Sequence, residues 1–286
     1  MRLLVFFCLF FAFAPFSGAQ KNLSVLTYNI RFDNPGDGED AWPKRRDHVA
    51  AQLRFFAPDV FGIQEGLLRQ LEYLNEQLPG YQRIGVGRDD GKDGGEFSAL
   101  FFKRDRFKLL DSGTFWLSET PDVVSKGWDA ALPRVCTYMR LRDKQAKKNL
   151  WVFNTHFDHV GKTARKASAE LILKKIREKN TANEPVVVMG DFNAEPTEAP
   201  IAVLLRELKD ARALSMEPPF GPEGTFNAFK FNEPVVRRID YIFLGFGFGS
   251  ETTRQQLKVR QHAVLSDSRN CHYPSDHLPV LARLAW

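Results

Sequence analysis

Residues 186–193 read VVVMGDFN, and this stretch decides the fold of the chain. Three valines and a methionine in a row are typical of a strand with buried faces. Two polar residues, Asp191 and Asn193, follow directly where that strand ends. Because ligand sites in open α/β sheets form at strand ends, the stretch predicts a buried sheet with a polar site at one edge.

The same pattern recurs along the rest of the chain. Other short apolar runs predict buried strands at Leu23–Ile30, Val60–Ile63, Phe97–Phe102, Leu150–Phe153, Tyr241–Leu244 and Val280–Leu284. Polar residues stand at or beside the ends of these runs: Asn29, Glu65, His156, Asp158, Asp240, Asp276 and His277. We therefore expect several strands to deliver rigidly mounted polar groups to one sheet edge.

Helical patterns lie between some of the strands. The segment Thr163–Lys179 places apolar residues near one helix face, namely Ala164, Ala167, Leu171 and Ile176. Leucines recur with helical spacing in Leu67–Leu78, and Ala199–Leu208 follows Thr197, a residue type that caps helices. The mixture predicts an α/β sandwich with sheets inside and helices outside.

The N-terminus, MRLLVFFCLFFAFAPFSGAQ, differs from the rest of the chain. It has one basic residue, an apolar run over Leu3–Phe13 and small residues at Ser17–Ala19, which is the pattern of a secretory signal. The run is short for a membrane span, and Pro15 interrupts it. We therefore expect a signal peptide at residues 1–19, an exported protein that is periplasmic or secreted, and no stable membrane insertion after cleavage.

The composition of the whole chain excludes some classes of protein. The 286 residues are 43% hydrophobic and 26% charged, which excludes a mainly disordered protein. No repeat or Ser/Gly-rich linker divides the sequence, so residues 20–286 are expected to form a single domain. The expected oligomeric state is a monomer. The net charge of +5 is mild for a dedicated nucleic-acid binder, so phosphorylated small molecules fit as well as nucleic acids.

Two cysteines follow the predicted cleavage site, Cys136 and Cys271. An exported compartment permits a disulfide between them. Two buried free thiols are the alternative. Neither cysteine has the spacing of a zinc site.

The polar residues at the strand ends form a chemical set. Carboxylates and amides with few thiols suit a hard divalent cation, Mg²⁺ or else Mn²⁺ or Ca²⁺. Two histidines beside carboxylates suit proton transfer and the stabilisation of phosphate charge. The sequence contains no G-x-S-x-G, HExxH, P-loop or dinucleotide motif. The set therefore predicts metal-assisted hydrolysis of a phosphate ester.

Six motifs resemble, in order, those of the endonuclease/exonuclease/phosphatase superfamily: LTYNIR, IQEG, NTHFDH, GDFNAEP, RRIDYIF and SDHLPV. They run over nearly the whole chain after the leader. The resemblance is to the deoxyribonuclease-like metal-dependent phosphoesterases, in an exported form with some similarity to the deadenylase/nocturnin branch. It implies a four-layered α/β sandwich with two packed central mixed β-sheets and helices outside.

The resemblance also implies roles for individual residues. The metal would be held by Glu65, Asn29 and Asp276. Catalysis would fall to His156, Asp191, Asn193, Asp240 and His277, with either Asp191 or the Asp240–His277 pair activating the water. The substrate phosphate would be contacted by Arg134, Asn193 and His156. Glu96 would orient His156.

Several substrates are compatible with this site. A small phosphorylated metabolite, a nucleotide or a lipid head group is favoured, because no stripe of basic and aromatic residues marks a polynucleotide path. A secreted nuclease acting on DNA or RNA is the first alternative. An inactive protein that binds a phosphate ligand is an alternative of another class. Surface or packing roles, with substrate contact allowed, are expected for Trp42, Trp128, His159 and Arg165.

Overall fold

Two six-stranded sheets form the centre of the protein in a computed structural model that describes residues 22–245 and 257–286. The strands are β1 (Asn22–Asn29), β2 (Val60–Gly66), β3 (Tyr81–Ile84), β4 (Phe97–Lys103), β5 (Phe107–Trp116), β6 (Val135–Asp143), β7 (Lys148–His156), β8 (Val186–Asp191), β9 (Leu208–Asp210), β10 (Asp240–Gly245), β11 (Lys258–Val264) and β12 (Val280–Ala285). The first sheet has the order β11-β12-β1-β2-β4-β3 and the second β5-β6-β7-β8-β10-β9.

Helices cover the outer faces of the sheets. They are α1 (Trp42–Phe56), α2 (Leu68–Gln77), α3 (Lys162–Lys179), α4 (Ala199–Leu204) and α5 (Ala211–Leu214), with a 3₁₀ turn at Pro35–Asp40. Residues such as Leu100 and Met189 fill the core between the sheets. Leu53 and Leu71 pack α1 and α2 on the first sheet, and Ile172 packs α3 on the second. The predicted sandwich, with two mixed sheets inside and helices outside, is confirmed.

The predicted strands are confirmed, and several extend into their polar ends. The run Leu150–Phe153 belongs to a strand that continues to His156, and Val186–Met189 to one that continues to Asp191. These residues keep extended backbone because parallel pairing of β7 and β8 runs to their last residues. His156 and Asp191 are therefore part of the ladder and not of a loose loop.

Helix α3 confirms the helix predicted at Thr163–Lys179 but not its contact face. Ala164 and Ile176 are buried as expected, whereas Ala167 and Leu171 are only half-buried. The rest of the contact comes from Arg165, Ser168, Ala169, Ile172 and Leu173. The buried face of α3 therefore includes small and polar residues as well as large apolar ones.

The helix predicted at Ala199–Leu208 is shorter than expected. Helix α4 ends at Leu204, and Leu208 begins β9, where it pairs with Gly245. The N-cap is Glu198 and not Thr197. Strand pairing at the sheet edge thus replaces the last helical turn.

Strand direction gives the sandwich two distinct ends. Parallel pairing of β1 with β2 and of β7 with β8, with antiparallel neighbours, sets the polarity of both sheets. The end that we call the site end carries Asn29, Glu65, His156, Asp191 and Asp240. The opposite end, which we call the distal end, carries Asn22, Arg106, Asp143, Lys148 and Ala285.

The two cysteines are free thiols, so the disulfide alternative is wrong. Cys136 is buried as expected, whereas Cys271 is exposed. The predicted signal peptide at residues 1–19 lies outside the described residues and stays a prediction. Within the described ranges, no helix is long and apolar enough to cross a membrane.

Candidate active site

Strands from both sheets bring the predicted residues together at the site end. Asp191 closes β8, and the register places His156 of β7 and Asp240 of β10 opposite it on either side. From the other sheet, Asn29 closes β1 next to β2, which carries Glu65. Residues that are far apart in sequence therefore form one cluster between the sheets.

Gly190 explains the close approach of β7 and β8 at this point. Its φ is +149°, and a Cβ there would lie 2.0 Å from the carbonyl oxygen of Thr155. Only glycine fits such a contact. The G of the GDFN motif thus holds Asp191 within reach of His156.

Glu65 sits at an irregular point of β2. Its φ is 62°, in the left-handed region, and the pairing with β4 shifts register between Ile63 and Gly66. The turned side chain accepts hydrogen bonds from Asn29 Nδ2 at 2.9 Å and from the Phe32 amide at 3.1 Å. Such strained positions cluster at functional sites.

Asp191 is the centre of the cluster. Its Oδ2 accepts a hydrogen bond from Asn29 Nδ2 at 3.0 Å. The same oxygen lies 3.5 Å from Nε2 of His156 and 3.8 Å from Nε2 of His277. Its Oδ1 accepts from the backbone amide of Asn193 at 2.9 Å. The Asp191 carboxylate thus bonds to Asn29, a predicted metal ligand, and lies near His156, a predicted phosphate contact.

Burial perturbs two carboxyl groups of the cluster. It raises the pKa of Asp191 to about 7, with the negative charge of Asp240 adding to the effect and His277 opposing it. Burial also raises the pKa of Asp276 to about 6. The positive charge of His277 opposes this rise, and the negative charge of Glu65 adds to it. Groups with pKa values near neutrality are suited to proton transfer.

The predicted contact between Asp240 and His277 is present. His277 Nδ1 lies 2.9 Å from Asp240 Oδ2, and the hydroxyl of Thr225 donates to the same oxygen at 2.6 Å. Burial opposes charge on His277, but Asp240 and Asp191 outweigh it and raise its pKa well above the usual range. Thr225, which is fully buried, was missed from the sequence because an isolated threonine carries no motif signal.

His156 differs from His277 in charge. Burial and the nearby cations Arg134 and Arg88 lower the pKa of His156 well below its usual range, so the ring is neutral. Its Nε2 accepts from Asn193 Nδ2 at 3.1 Å, which leaves the ring proton on Nδ1. The two histidines therefore offer one imidazolium and one neutral imidazole.

Glu96 lies beside His156 without the predicted orienting hydrogen bond. The distance from its Oε2 to His156 Nδ1 is 3.8 Å, which exceeds hydrogen-bond length. Its carboxylate instead accepts two bonds from Arg88, at 2.8 and 2.9 Å. Arg88 was missed from the sequence, because it belongs to none of the six motifs. A bidentate guanidinium partner explains why Glu96 turns toward it.

Arg134 is almost fully buried in the wall next to His156. Its Nη2 contacts His159 Nδ1 at 3.0 Å, and its Nε lies 3.6 Å from Asp158 Oδ2. Its Nε and Nη1 are buried without a hydrogen-bond partner. Since buried polar groups are normally paired, these donors are suited to an anionic ligand.

Among the described residues, two groups of side chains are close enough together to hold a metal ion, and Glu65 is the one predicted ligand that belongs to them. Ligand atoms of Glu65, His156 and Asp191 lie within 4.8 Å of one another, as do those of Asp191, Asp240 and His277. Asp276 lines the same cavity and feels the charge of Glu65. The charges of Asp240 and Glu65 help to raise the pKa of Asp191 and Asp276, and such a crowded set of carboxylates is one that a hard cation compensates.

Asn29 has a different orientation from the other predicted ligands. Its amide nitrogen donates to Glu65 and Asp191, and its oxygen accepts from the Arg31 amide at 3.0 Å. In this arrangement Asn29 aligns the two carboxylates. Its role as a direct ligand stays a prediction.

Arg45 anchors the loops around the site. This buried guanidinium donates to the carbonyl oxygens of Asp40 and Arg31, each at 2.7 Å, and of Pro274 at 3.1 Å. Ser275 adds a bond from its hydroxyl to the Asn29 carbonyl at 2.7 Å. The loop after β1 and the loop that carries Asp276 are thus fixed to each other.

A cavity of about 470 Å³ opens over the cluster. The predicted residues Glu65, Glu96, Arg134, His156, Asp191, Asn193, Asp276 and His277 line it. Arg31, Phe32, Leu132, His159, Phe226, Arg237 and Ile239 complete the wall. A second cavity, of about 550 Å³ against β11 and β12, is lined by none of the predicted site residues.

Of the four residues expected to have surface or packing roles, three lie away from the cavity and one lines it. Trp42 and Arg165 are buried, and Trp128 is half-buried. None of these three lines the cavity of the site. His159 does line it, so its substrate-contact alternative gains support.

Comparisons with known proteins show what this chain is similar to. A family model described as "Endonuclease/Exonuclease/phosphatase family" matches residues 26–277. The structure of a mannosyl-6-phosphatase from Bacteroides thetaiotaomicron VPI-5482 has 39% identity and a TM-score of 0.85, over 92% of this chain and 100% of that one. A second B. thetaiotaomicron protein of the same family has 38% identity and a TM-score of 0.87, over 93% and 98%. Mouse nocturnin is 25% identical, over 93% of this chain and 66% of that protein.

Proposed function

The chain belongs to the endonuclease/exonuclease/phosphatase family, whose members are hydrolases of phosphoester bonds, and we propose that it removes the phosphate from small, uncharged, hydroxylated molecules. The proposed substrate is thus a phosphate monoester, and a hexose phosphate is the first compound to test. The proposal narrows the range of metabolites, nucleotides and lipid head groups that the sequence left open.

The charge balance of the cavity carries this proposal. Of the lining arginines, Arg31 is paired with Asp37 at 3.0 Å and Arg237 lies 3.5 Å from Glu195. Only Arg134 among them keeps buried donors without a partner. No lysine is found among the described lining residues. A polynucleotide would place several phosphates here and need a matching number of free cations, whereas one phosphate needs only this one.

The site fits a divalent cation, for which we propose Mg²⁺. Glu65 and Asp276 would hold it, with Asn29 aligning Glu65. The oxygen-rich donor set favours a hard ion over zinc or copper. When bound, the ion would neutralise charge on the phosphate oxygens.

The chain's own residues would divide the remaining work. Arg134 would bind the phosphate through its free donors, beside Asn193, whose Nδ2 donates to His156 Nε2 and to the Phe157 carbonyl. The imidazolium of His277 would stabilise negative charge that develops on the phosphate, and Asp240 would keep it protonated. Asp191 would accept a hydrogen bond from the attacking water. Asp191 would also take its proton, because His277 is already protonated.

The similarity to a mannosyl-6-phosphatase supports the substrate class. That protein shares 39% identity with this chain, over its entire length. Fold alone does not select a substrate. The similarity therefore determines which phosphate ester to test first, and the charge balance of the cavity supports the choice independently.

The test is a panel of four substrates with purified mature protein, with Mg²⁺ and with EDTA. We expect hydrolysis of mannose 6-phosphate and p-nitrophenyl phosphate, little hydrolysis of bis-p-nitrophenyl phosphate or single-stranded DNA, and no activity in EDTA. Asp191→Asn serves as the control for contaminating phosphatases. Faster hydrolysis of the diester or DNA would favour the nuclease alternative, and an inert protein the binding alternative.

A further inference from the structure

His159 stands on the wall of the cavity three residues beyond the end of β7. Its side chain is 52% exposed, and it lines the same cavity as His156 and Asn193. The reaction described above gives it no part. Its position places it toward the mouth, on the same wall as Arg134, which contacts it.

The contact with Arg134 determines the proton position on His159. Arg134 Nη2 and His159 Nδ1 are 3.0 Å apart. A guanidinium group is always charged and only donates, so Nδ1 accepts. A ring that accepts at Nδ1 is neutral and carries its proton on Nε2. His159 therefore offers a single N–H donor without a positive charge.

The loop that carries His159 is rigid. Asp158 is buried, and its Oδ1 accepts from the amides of Val160 at 3.0 Å and Gly161 at 2.7 Å. Its backbone carbonyl accepts from Arg165 Nη1 at 3.1 Å. The donor on His159 is thus held in place before a ligand arrives, which lowers the entropy lost on binding.

The surroundings of His159 favour a hydroxyl group over a second phosphate. Leu132 lines the adjacent wall, and its side chain is partly exposed. Arg134, the cation that contacts His159, is the group already proposed to bind the phosphate. A neutral donor beside an apolar surface fits a sugar, which has hydroxyl edges and apolar C–H faces.

We propose that His159 is a specificity-determining residue that donates a hydrogen bond from Nε2 to a hydroxyl group of the substrate's uncharged part. Arg134 connects recognition of the hydroxyl group with recognition of the phosphate. It contacts His159 through Nη2, and its Nη1 has no hydrogen-bond partner and would bind the phosphate. This inference rests on the proposed function, since it needs a substrate with one phosphate and a hydroxylated remainder.

The test compares two substrates that differ in hydroxyl groups. Mannose 6-phosphate has a hydroxylated ring on a primary alkyl phosphate. Cyclohexylmethyl phosphate has a six-membered ring on the same kind of phosphate and no hydroxyl group. The ratio of kcat/KM between them measures hydroxyl recognition separately from phosphate chemistry.

We expect His159→Ala to lower this ratio about tenfold, the effect of one neutral hydrogen bond, chiefly through KM for mannose 6-phosphate. His159→Gln, which retains an N–H donor, should recover part of the ratio. His272→Gln is the matched control, because His272 is 54% exposed, its Nδ1 also has a partner at 2.9 Å, and it does not line the cavity. That variant should leave the ratio unchanged.

The outcomes separate the two proposals. If wild type hydrolyses both compounds and His159→Ala slows them equally, His159 acts through Arg134 or the fold, and the specificity role is overturned. An unchanged ratio with unchanged rates overturns it too. If wild type hydrolyses neither compound, the proposed function fails and this inference with it.

Discussion

The two ends of the sandwich both bury charged groups, but only one of them pairs these charges completely. At the distal end, Arg106 lies between two buried aspartates, 2.7 Å from Asp59 Oδ2 and 2.8 Å from Asp143 Oδ2. Lys103 and Ser24 add further bonds to Asp59. At the site end, by contrast, Glu65, Asp191, Asp240 and Asp276 share few cations.

The pKa values shift in opposite directions at the two ends. Burial alone would raise the pKa of Asp143, but hydrogen bonds from Arg106 and from the amides of Ala146 and Gln145 outweigh it, and the pKa is lowered. At the site end, burial and neighbouring charges raise the pKa of Asp191 and Asp276. A paired carboxylate stabilises the fold, whereas an uncompensated one is kept for binding and chemistry.

The largest expected effect separates chemistry from stability at the site end. Asp191→Asn should lower kcat/KM at least about a thousandfold, because the carboxylate at the centre of the site is lost. The melting temperature should not fall, because a buried negative charge near Asp240 is removed. Kinetics with mannose 6-phosphate and calorimetry in EDTA measure both. A drop in melting temperature that accounts for the lost activity would remove the distinction between the ends.

The opposite result is expected at the distal end. Arg106→Met should destabilise the protein by about 3–5 kcal/mol, because buried Asp143 loses its cation and Asp59 keeps only Lys103. The folded fraction should keep its kcat/KM within about twofold. Denaturant unfolding measures the free energy, and Lys108→Met, an exposed change on the same strand region, is the control. An unaltered unfolding midpoint would show that the distal pair adds no stability.

The two histidines test whether the site end acts as a unit. His156→Ala and His277→Ala should each lower kcat/KM about a hundredfold. Both contact Asp191, so the double variant should be much less impaired than the product of the single losses. His277→Ala should be the less stable of the two, since it leaves Asp240 buried without its cation. Strictly multiplicative losses would argue for two independent roles.

Removing the charge of one proposed metal ligand should have a smaller effect on activity at the site end. Glu65→Gln keeps the size of the side chain but removes the charge proposed to bind the cation. Activity should fall at least about tenfold, and excess Mg²⁺ or Mn²⁺ should restore part of it. Titration of activity against metal concentration measures the change. Full activity of this variant in EDTA would rule out a metal-dependent reaction.

The smallest effect concerns the pH dependence of the distal end. A lowered native pKa for Asp143 means that its stabilisation is present above the unfolded value of about 3.9 and is lost as the pH falls through the native value. The stability difference between wild type and Arg106→Met should therefore shrink between pH 5 and pH 2. Urea unfolding across this range measures it, and a constant difference would contradict the assigned pairing.

Sequence patterns predicted the strands and most site residues because both are local signals. Apolar runs such as Val186–Met189 carry strand propensity, and a polar residue at a strand end is visible in one dimension. Motif order then identified the family and, with it, Glu65, Asp191 and His277. The missed residues Arg88 and Thr225 belong to none of the six motifs, and no sequence pattern pairs them with Glu96 and Asp240.

The sequence by itself determined the class of fold, the family and the set of groups available for phosphoester chemistry, because these follow from periodicity and residue type. Only the tertiary structure decided which of those groups are charged and which partners they contact. His156 is neutral and His277 charged because their neighbours come from different strands, with Arg134 beside one and Asp240 beside the other. Likewise, Glu96 faces Arg88, and His159 faces the cavity, because distances in three dimensions set hydrogen bonds and electrostatic fields.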